Sequence, residues 1–272
     1  IGALPYVLRD VNVPIYSTKL TGAIIDNKLK EHDLLKRTRR KVIKYGHAIN
    51  LGCFRIEFIR TNHSIADSAA LAIYTPAGII VHTGDFKIDY TPVFGSTIDL
   101  PRFAEIGKKG VLALMCDSTN VLRDGYTQSE KTVGRTLDNI FADSTTGRII
   151  VATFASNVDR VQQIINAATK HGRKVVIEGR SMVNIVNTAQ ELGYIKAKEN
   201  TIIDIEQMGS YTDDQITIIT TGSQGESMAA LSRMASNIHK KIQIKPTDTV
   251  IFSSSPIPGN EKQIFKIINE LS

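Results

Sequence analysis

From Arg148 to Lys170 the chain reads RIIVATFASNVDRVQQIINAATK, an apolar run of strand length followed by a stretch whose apolar residues return at helical spacing. Val158, Val161, Ile165 and Ala168 recur every three or four positions, which places them on one helix face, and Ser156 with Asp159 fits a capping box at its start. The same two-part unit returns three more times. KVVIEG precedes SMVNIVNTAQELG, QITIITT precedes ESMAALSRMAS, and DTVIFSSS precedes EKQIFKIINELS. In the second helix Met182, Ile185, Val186, Ala189 and Leu192 form the apolar stripe, and Gly193 stands where a helix stop belongs. Strand and helix in strict alternation predict a parallel α/β sheet, in which loops at the carboxyl ends of the strands face a ligand.

Upstream of about Thr127 the pattern is different. Phe54, Ile56 and Phe58 alternate with Arg55 and Glu57, the period-two mark of a half-buried strand, and LAIYTP, GIIVHTG and VLALMCDS continue the strand-rich pattern. Short turns carrying Pro76, Gly78 and Gly110 separate them, and no long helical pattern is expected in between. The chain therefore divides into a sheet-rich unit, 1–122, and an α/β unit, 123–272.

Composition bounds the class. Hydrophobic residues make up 42% and charged residues 22%, a globular balance with no case for disorder. The apolar runs are too short to span a membrane, and the first residues lack the basic-then-apolar order of a secretory signal, so no membrane partner and a cytoplasmic home are expected. The two cysteines, Cys53 and Cys116, lie in no C-x-x-C pattern and suggest neither a disulfide framework nor a thiolate zinc site. The 33 Lys and Arg exceed the 27 Asp and Glu by six, a balance that favours phosphate-rich partners. Lys36 to Lys41 read KRTRRK, five basic residues in six, able to meet a nucleic-acid backbone, although such a run is ordinarily a solvated surface.

Candidate chemistry sits at strand ends. His63 in RTNHSIADS and Asp85 in VHTGDFKID supply an imidazole and a carboxylate, ligands suited to Zn or Mn ions, and loops at strand ends can aim both at one point. Two ligands alone hold no catalytic metal, and each residue could equally be a turn former. His32, His47, His82, His171 and His239 lie in no ligand-like spacing, and alternation turns His82 away from Asp85. In the α/β unit three loops could take phosphate. TTGSQGE offers backbone N–H groups at Gly222 and Ser223, TFASN offers Ser156 and Asn157, and EGRS offers the guanidinium of Arg180. The plain alternatives are a glycine turn and helix caps.

Eight stretches, IGALPYVL, RTNHSIADS, VHTGDFKID, MCDSTN, TFASNVDRVQQI, VVIEGRSM, TTGSQGE and FSSSPIPGNE, follow one another in an order that resembles the metallo-β-lactamase fold and, within it, the β-CASP nucleases. The greatest similarity is to the bacterial ribonuclease J family. The resemblance implies a partial metallo-β-lactamase αββα sandwich over 1–122 and a β-CASP parallel-sheet α/β domain over 123–272. It implies that His63 and Asp85 are metal ligands, with Asp85 bridging two divalent ions. It further implies that Asp117 in MCDSTN lies near the metals or orients a ligand, with Ser118 facing substrate phosphate. An ordinary Asx turn is the alternative at that motif.

For the intact protein the resemblance implies a two-metal, 5′-to-3′ exonuclease and endonuclease acting on single-stranded RNA. It implies a homo-oligomer with RNA-degradation or ribosome-associated partners. The family's His-x-His-x-Asp-His cluster and its C-terminal histidine pair have no counterpart between Ile1 and Ser272. The expectation is therefore an internal fragment that retains no metal and is inactive alone. Two other readings stay open, a non-catalytic RNA-binding or scaffold subunit and a lactamase-like hydrolase of a small molecule.

Overall fold

A computed structural model describes residues 1–93 and 95–272. They form two compact units, Ile1–Lys131 and Thr132–Ser272. The division falls nine residues later than 122/123, and the reason is local. The Glu130 N–H donates to Asp89 Oδ2 at 3.0 Å, Lys87 Nζ pairs with Glu130 Oε1 at 3.1 Å, and Ser129 Oγ donates to the Thr91 carbonyl at 3.0 Å, which fastens this stretch to the first unit. Among the described residues no helix is long and apolar enough to cross a membrane.

The first unit opens with α1 (Leu4–Asp10), β1 (Ile15–Ser17), α2 (Lys19–Glu31) and β2 (Arg40–Val42), in which β1 and β2 pair in parallel. There follow β3 (Ala48–Leu51), β4 (Phe54–Arg60), β5 (Ala69–Thr75), β6 (Gly78–His82), α3 (Leu100–Lys108) and β7 (Ala113–Met115). The sheet runs β3-β4-β5-β6-β7, antiparallel except for the last pair. Two-residue turns join β3 to β4 and β5 to β6, whereas an eight-residue loop joins β4 to β5. At β5–β6 the Thr75 hydroxyl accepts from the N–H groups of Ala77 and Gly78, both at 3.2 Å.

A nine-residue helix, α3, stands between β6 and β7, where only short turns were expected. A parallel β6–β7 pair cannot be joined by a hairpin and needs a crossover. Its signals were short: Asp99 caps it by accepting from the Arg102 N–H at 3.2 Å, Pro101 occupies the first turn, and Phe103 and Ile106 stand three apart. Those two residues pack on Ile59, Ala70, Ala72 and Val81. On the same sheet face Glu57, 3% exposed, is gripped by the Arg102 guanidinium at 2.6 and 2.9 Å and by the Tyr74 hydroxyl at 3.1 Å. The Arg102 hydrogen bonds hold its carboxyl below the ordinary value of 4.5.

The connecting helix α4 (Glu130–Asp143) leads into β8 (Ile149–Ala152), α5 (Val158–Lys170), β9 (Lys174–Glu178), α6 (Arg180–Glu191), β10 (Ile202–Ile203), β11 (Ile216–Thr220), α7 (Ala230–Ala235), β12 (Thr249–Phe252) and α8 (Glu261–Leu271). All pairs in the sheet β10-β9-β11-β8-β12 are parallel, which is the α/β architecture expected from the alternation. All four β8 residues are fully buried, and Val158, Val161, Ile165 and Ala168 of α5 are at most 1% exposed. Two local expectations are corrected. Asn157, not Ser156, caps α5, its side chain accepting from the Arg160 N–H at 3.1 Å. The helix after TTGSQGE begins only at Ala230 and spans six residues, because Gly222 and Gly225 hold the preceding segment in a turn with positive φ.

Candidate active-site corner and phosphate-facing edge

In the first unit β4, β6 and β7 run in the same direction, so their carboxyl ends share one sheet edge. His63 follows β4, Asp85 follows β6 and Asp117 follows β7, and the topology therefore gathers residues from three distant stretches. His63 Nε2 and Asp85 Oδ2 stand 3.7 Å apart, with side chains 34% and 77% exposed.

Thr83 positions this corner from below. Its N–H donates to the Met115 carbonyl at 3.0 Å, and its hydroxyl oxygen accepts from the Asp117 N–H at 3.0 Å, locking the β6 and β7 ends together. Asp117 Oδ1 accepts from the Thr119 N–H at 3.0 Å and the Thr119 hydroxyl at 2.7 Å. These bonds chiefly hold its carboxyl below the ordinary 3.8, with further help from the Phe86 N–H and His63. Ser118 is exposed, its hydroxyl 3.5 Å from the Cys116 carbonyl. His82 Nδ1 accepts from the Gly84 N–H at 3.0 Å, so it closes the turn that carries Asp85.

His63 and Asp85 fit a divalent ion in donor type and in separation, since an imidazole nitrogen and a carboxylate oxygen that share one ion each lie about 2.0–2.2 Å from it. In number they fall short. Among the described residues no three His, Cys, Asp or Glu side chains are grouped to hold a metal. The corner brings together two side chains of metal-ligand type, with Asp117 close enough to His63 to feel its charge, and among the described residues it is not a closed site.

The second unit presents loops at the carboxyl ends of adjacent strands β9, β11, β8 and β12. Thr153 donates its N–H to the Thr220 carbonyl at 3.1 Å and Ser253 to the Ala152 carbonyl at 2.8 Å, which ties these ends together. Arg180 is exposed at the first position of α6, and among the described residues no hydrogen bond or ion pair engages its guanidinium. Ser156 is half-buried. The Asn157 side chain is occupied in capping and is 5% exposed, and Ser223 is 2% exposed.

Gly222 has φ +109, and a Cβ there would lie 3.0 Å from both Ala229 Cβ and Leu231 Cβ, so protein packing alone already requires glycine. Gly179 has φ +102, and a Cβ on it would come within 2.8 Å of Thr221 Oγ1, which brings the β9 and β11 loops close. Among the described residues no hydrogen-bond partner meets the buried Thr153 hydroxyl at this edge, a state that costs about 1–3 kcal/mol.

Two residues that carry this edge were not singled out from sequence. Gln224 Nε2 donates to Ser254 Oγ and the Ser255 carbonyl, both at 3.1 Å, while its Oε1 accepts from the Ile257 N–H at 2.8 Å, bridging the β11 and β12 loops. His239, 8% exposed, accepts at Nδ1 from the Ile242 N–H at 3.0 Å, so Nε2 carries the proton and donates to Glu178 at 3.2 Å. Its partner is 61 residues away, and no local spacing signals the pair.

The chain is similar to known proteins along its whole length. Residues 146–271 match the family described as "Ribonuclease J, beta-CASP domain". Along all 272 residues the chain is 46% identical to "Ribonuclease J" of Helicobacter pylori (strain ATCC 700392 / 26695), covering 39% of that protein. It is 45% identical over 273 aligned residues to "Ribonuclease J" of Synechocystis sp. (strain ATCC 27184 / PCC 6803 / Kazusa) and 41% identical over 272 to "Ribonuclease J2" of Bacillus subtilis (strain 168), covering 42% and 49% of them. The chain thus spans less than half the length of these relatives. A solved structure of a protein of unknown function from Enterococcus faecalis V583 aligns with 95% of the chain and 68% of its own at TM-score 0.60 and 18% identity, a likeness of fold. The eight stretches that follow the ribonuclease J order thus lie in a chain that is similar along its whole length to proteins of that name, and residues 146–271, within the second unit, match the ribonuclease J β-CASP domain.

Proposed function

We propose that this chain carries part of the catalytic corner and the phosphate-facing edge of a metal-dependent ribonuclease of the ribonuclease J type. The observation that carries this reading is the convergence of His63 and Asp85 to 3.7 Å at a sheet edge shared with Asp117. His63 and Asp85 would hold divalent metal together with ligands supplied by the rest of the complete polypeptide. Bound divalent ions supply a hydroxide nucleophile near neutral pH and Lewis-acid stabilisation of charge at phosphorus.

The chain's own residues do the rest. Asp117, kept ionised by Thr119, orients the corner, and Thr83 keeps it in register with Asp85. Ser118 in the first unit, and Arg180 and Ser156 in the second, are the side chains open to a sugar-phosphate backbone, while the buried Asn157, Gly222 and Ser223 shape the loops of the second unit's edge. Phosphate contacts give little base preference. The family relationship supports 5′-to-3′ exonuclease action with endonuclease cleavage, a cytoplasmic setting and a homo-oligomer with RNA-degradation or ribosome-associated partners.

Elemental analysis of the dialysed 272-residue chain beside the complete polypeptide tests the reading. About two ions per complete polypeptide and none on this chain is the expected result, with RNA hydrolysis confined to the former. Two ions on this chain would overturn the divided site, and none on either would favour a scaffold subunit.

A further inference from the structure

Residues 36–44, KRTRRKVIK, hold six of the 33 Lys and Arg and none of the 27 Asp and Glu. The remaining chain holds 27 of each sign, so the whole formal charge of +6 resides in nine residues. We propose that this segment is a docking strip for the backbone of single-stranded RNA, holding substrate by charge rather than by base identity. The proposal rests on RNA being the substrate, and none of its residues belongs to the catalytic corner or to the loops at the carboxyl ends of β8, β9, β11 and β12.

A flexible basic tail would bind loosely, but this segment is fixed. The Arg37 and Thr38 N–H groups both donate to the Leu34 carbonyl, at 3.1 and 3.2 Å, and the buried Thr38 hydroxyl donates to the same oxygen at 3.0 Å. Beyond that turn β2 pairs with β1, flanked by Ile15 N–H to the Arg39 carbonyl at 2.9 Å and Ile43 N–H to the Ser17 carbonyl at 2.8 Å.

One of the six cations serves this frame. Arg40 pairs with Asp26 of α2 and donates to the carbonyls of Leu35 and Thr38, both at 2.6 Å. The other five, Lys36, Arg37, Arg39, Lys41 and Lys44, are exposed, and among the described residues none of them pairs with a carboxylate. Arg39 and Lys41 project on one side of an extended backbone, about 6.6–6.8 Å apart. The Lys41 ammonium lies 5.4 Å from the centre of the Tyr16 ring, so an aromatic face accompanies the charge.

Five unpaired cations on an ordered turn and strand, in a chain otherwise neutral, match a polyanion of regular charge spacing. Binding to single strands weakens with salt by about 0.7 in log K per log salt for each phosphate neutralised. Replacing all five with Gln in the complete polypeptide is expected to raise the Kd for a labelled 20-nucleotide RNA, read by anisotropy in EDTA, by about 10-fold or more at low salt. It is also expected to flatten the salt slope by up to about 3.5.

A variant exchanging Lys and Arg within the strip keeps the charge and should bind as the parent does, which controls for misfolding alongside circular dichroism. An unchanged slope in a folded Gln variant overturns the proposal. So does loss of binding to phosphatidylserine-containing vesicles with RNA affinity intact, which would assign the strip to a membrane surface. Hydrolysis of bis(p-nitrophenyl) phosphate with Mn²⁺ reports the catalytic reading alone. Its failure in the parent leaves the binding result standing.

Discussion

The two sheets of this molecule solve the same packing problem to different degrees. In the second unit, β8 and β11 are buried along their whole length, and Ile149, Ile150, Ile218 and Ile219 have no exposure at all. In the first unit α3 covers one face of the sheet, while on the other Ile56, Leu71, Ile73 and Ile80 are only half-buried and Leu51, Phe54 and Met115 are 42%, 45% and 55% exposed. Burial at roughly 25 cal/mol per Å² makes the second sheet the stable body. The first depends more on its polar ties, and its candidate ligands hang from those ties at the strand ends.

The sharpest way to break this comparison is to strike the second unit where it is most buried. Arg148 and Asp248 meet at 2.5 and 2.9 Å with side chains 4% and 0% exposed, and Arg148 also donates to the Gln243 carbonyl at 2.6 Å. Asp248→Ala strands a buried guanidinium and should cost about 3–5 kcal/mol. Ile218→Ala should cost about 2–5 kcal/mol through loss of transfer energy and the cavity left behind. Ile80→Ala, on the half-exposed face of the first sheet, should cost only about 1 kcal/mol. Peptide-level hydrogen exchange in urea reads each unit separately. Equal costs at Ile218 and Ile80 would erase the distinction.

A smaller effect probes the polar ties of the first unit. Arg102→Leu leaves Glu57 buried with, among the described residues, Tyr74 and the more distant Arg55 near its carboxylate, a loss of about 1–3 kcal/mol. Its pH dependence is the more specific signature. Because Arg102 lowers the Glu57 pKa, the contribution is fully present above the ordinary value of 4.5 and disappears as pH falls through the lower folded value. Exchange protection of β4 and β5 should therefore fall below pH 4.5 in the parent and change less in the variant. An identical acid response in both would assign it to other carboxylates.

Legibility followed locality. The α/β alternation was readable because each strand and its helix are neighbours in sequence and their apolar periods are unbroken, as in β8 and α5. Helix α3 was not, since only Phe103 and Ile106 mark its buried face over nine residues, and the demand for it comes from a parallel pairing that no local window reveals. His63, Asp85 and Asp117 could be named from their motifs and strand ends. Their common edge is a consequence of strand direction. Thr83, Gln224 and His239 act through partners 30 or more residues away and have no local signature.

The smallest expected effect lies between neighbours. Ser156 and Asn157 both fit a helix cap by type, and both were candidates for phosphate. The geometry gives the capping bond to Asn157, so Asn157→Ala should destabilise the second unit by about 1 kcal/mol while Ser156→Ala stays within about 0.5 kcal/mol. RNA affinity then separates stability from contact. A hydroxyl that meets phosphate should lower affinity in Ser156→Ala without moving stability, whereas a side chain engaged only in capping should do the reverse. If Asn157→Ala weakens RNA binding and leaves stability untouched, the cap is incidental and the carboxamide belongs to the ligand. The edge of the more buried sheet would then be tuned for substrate even at a residue that its own helix already uses.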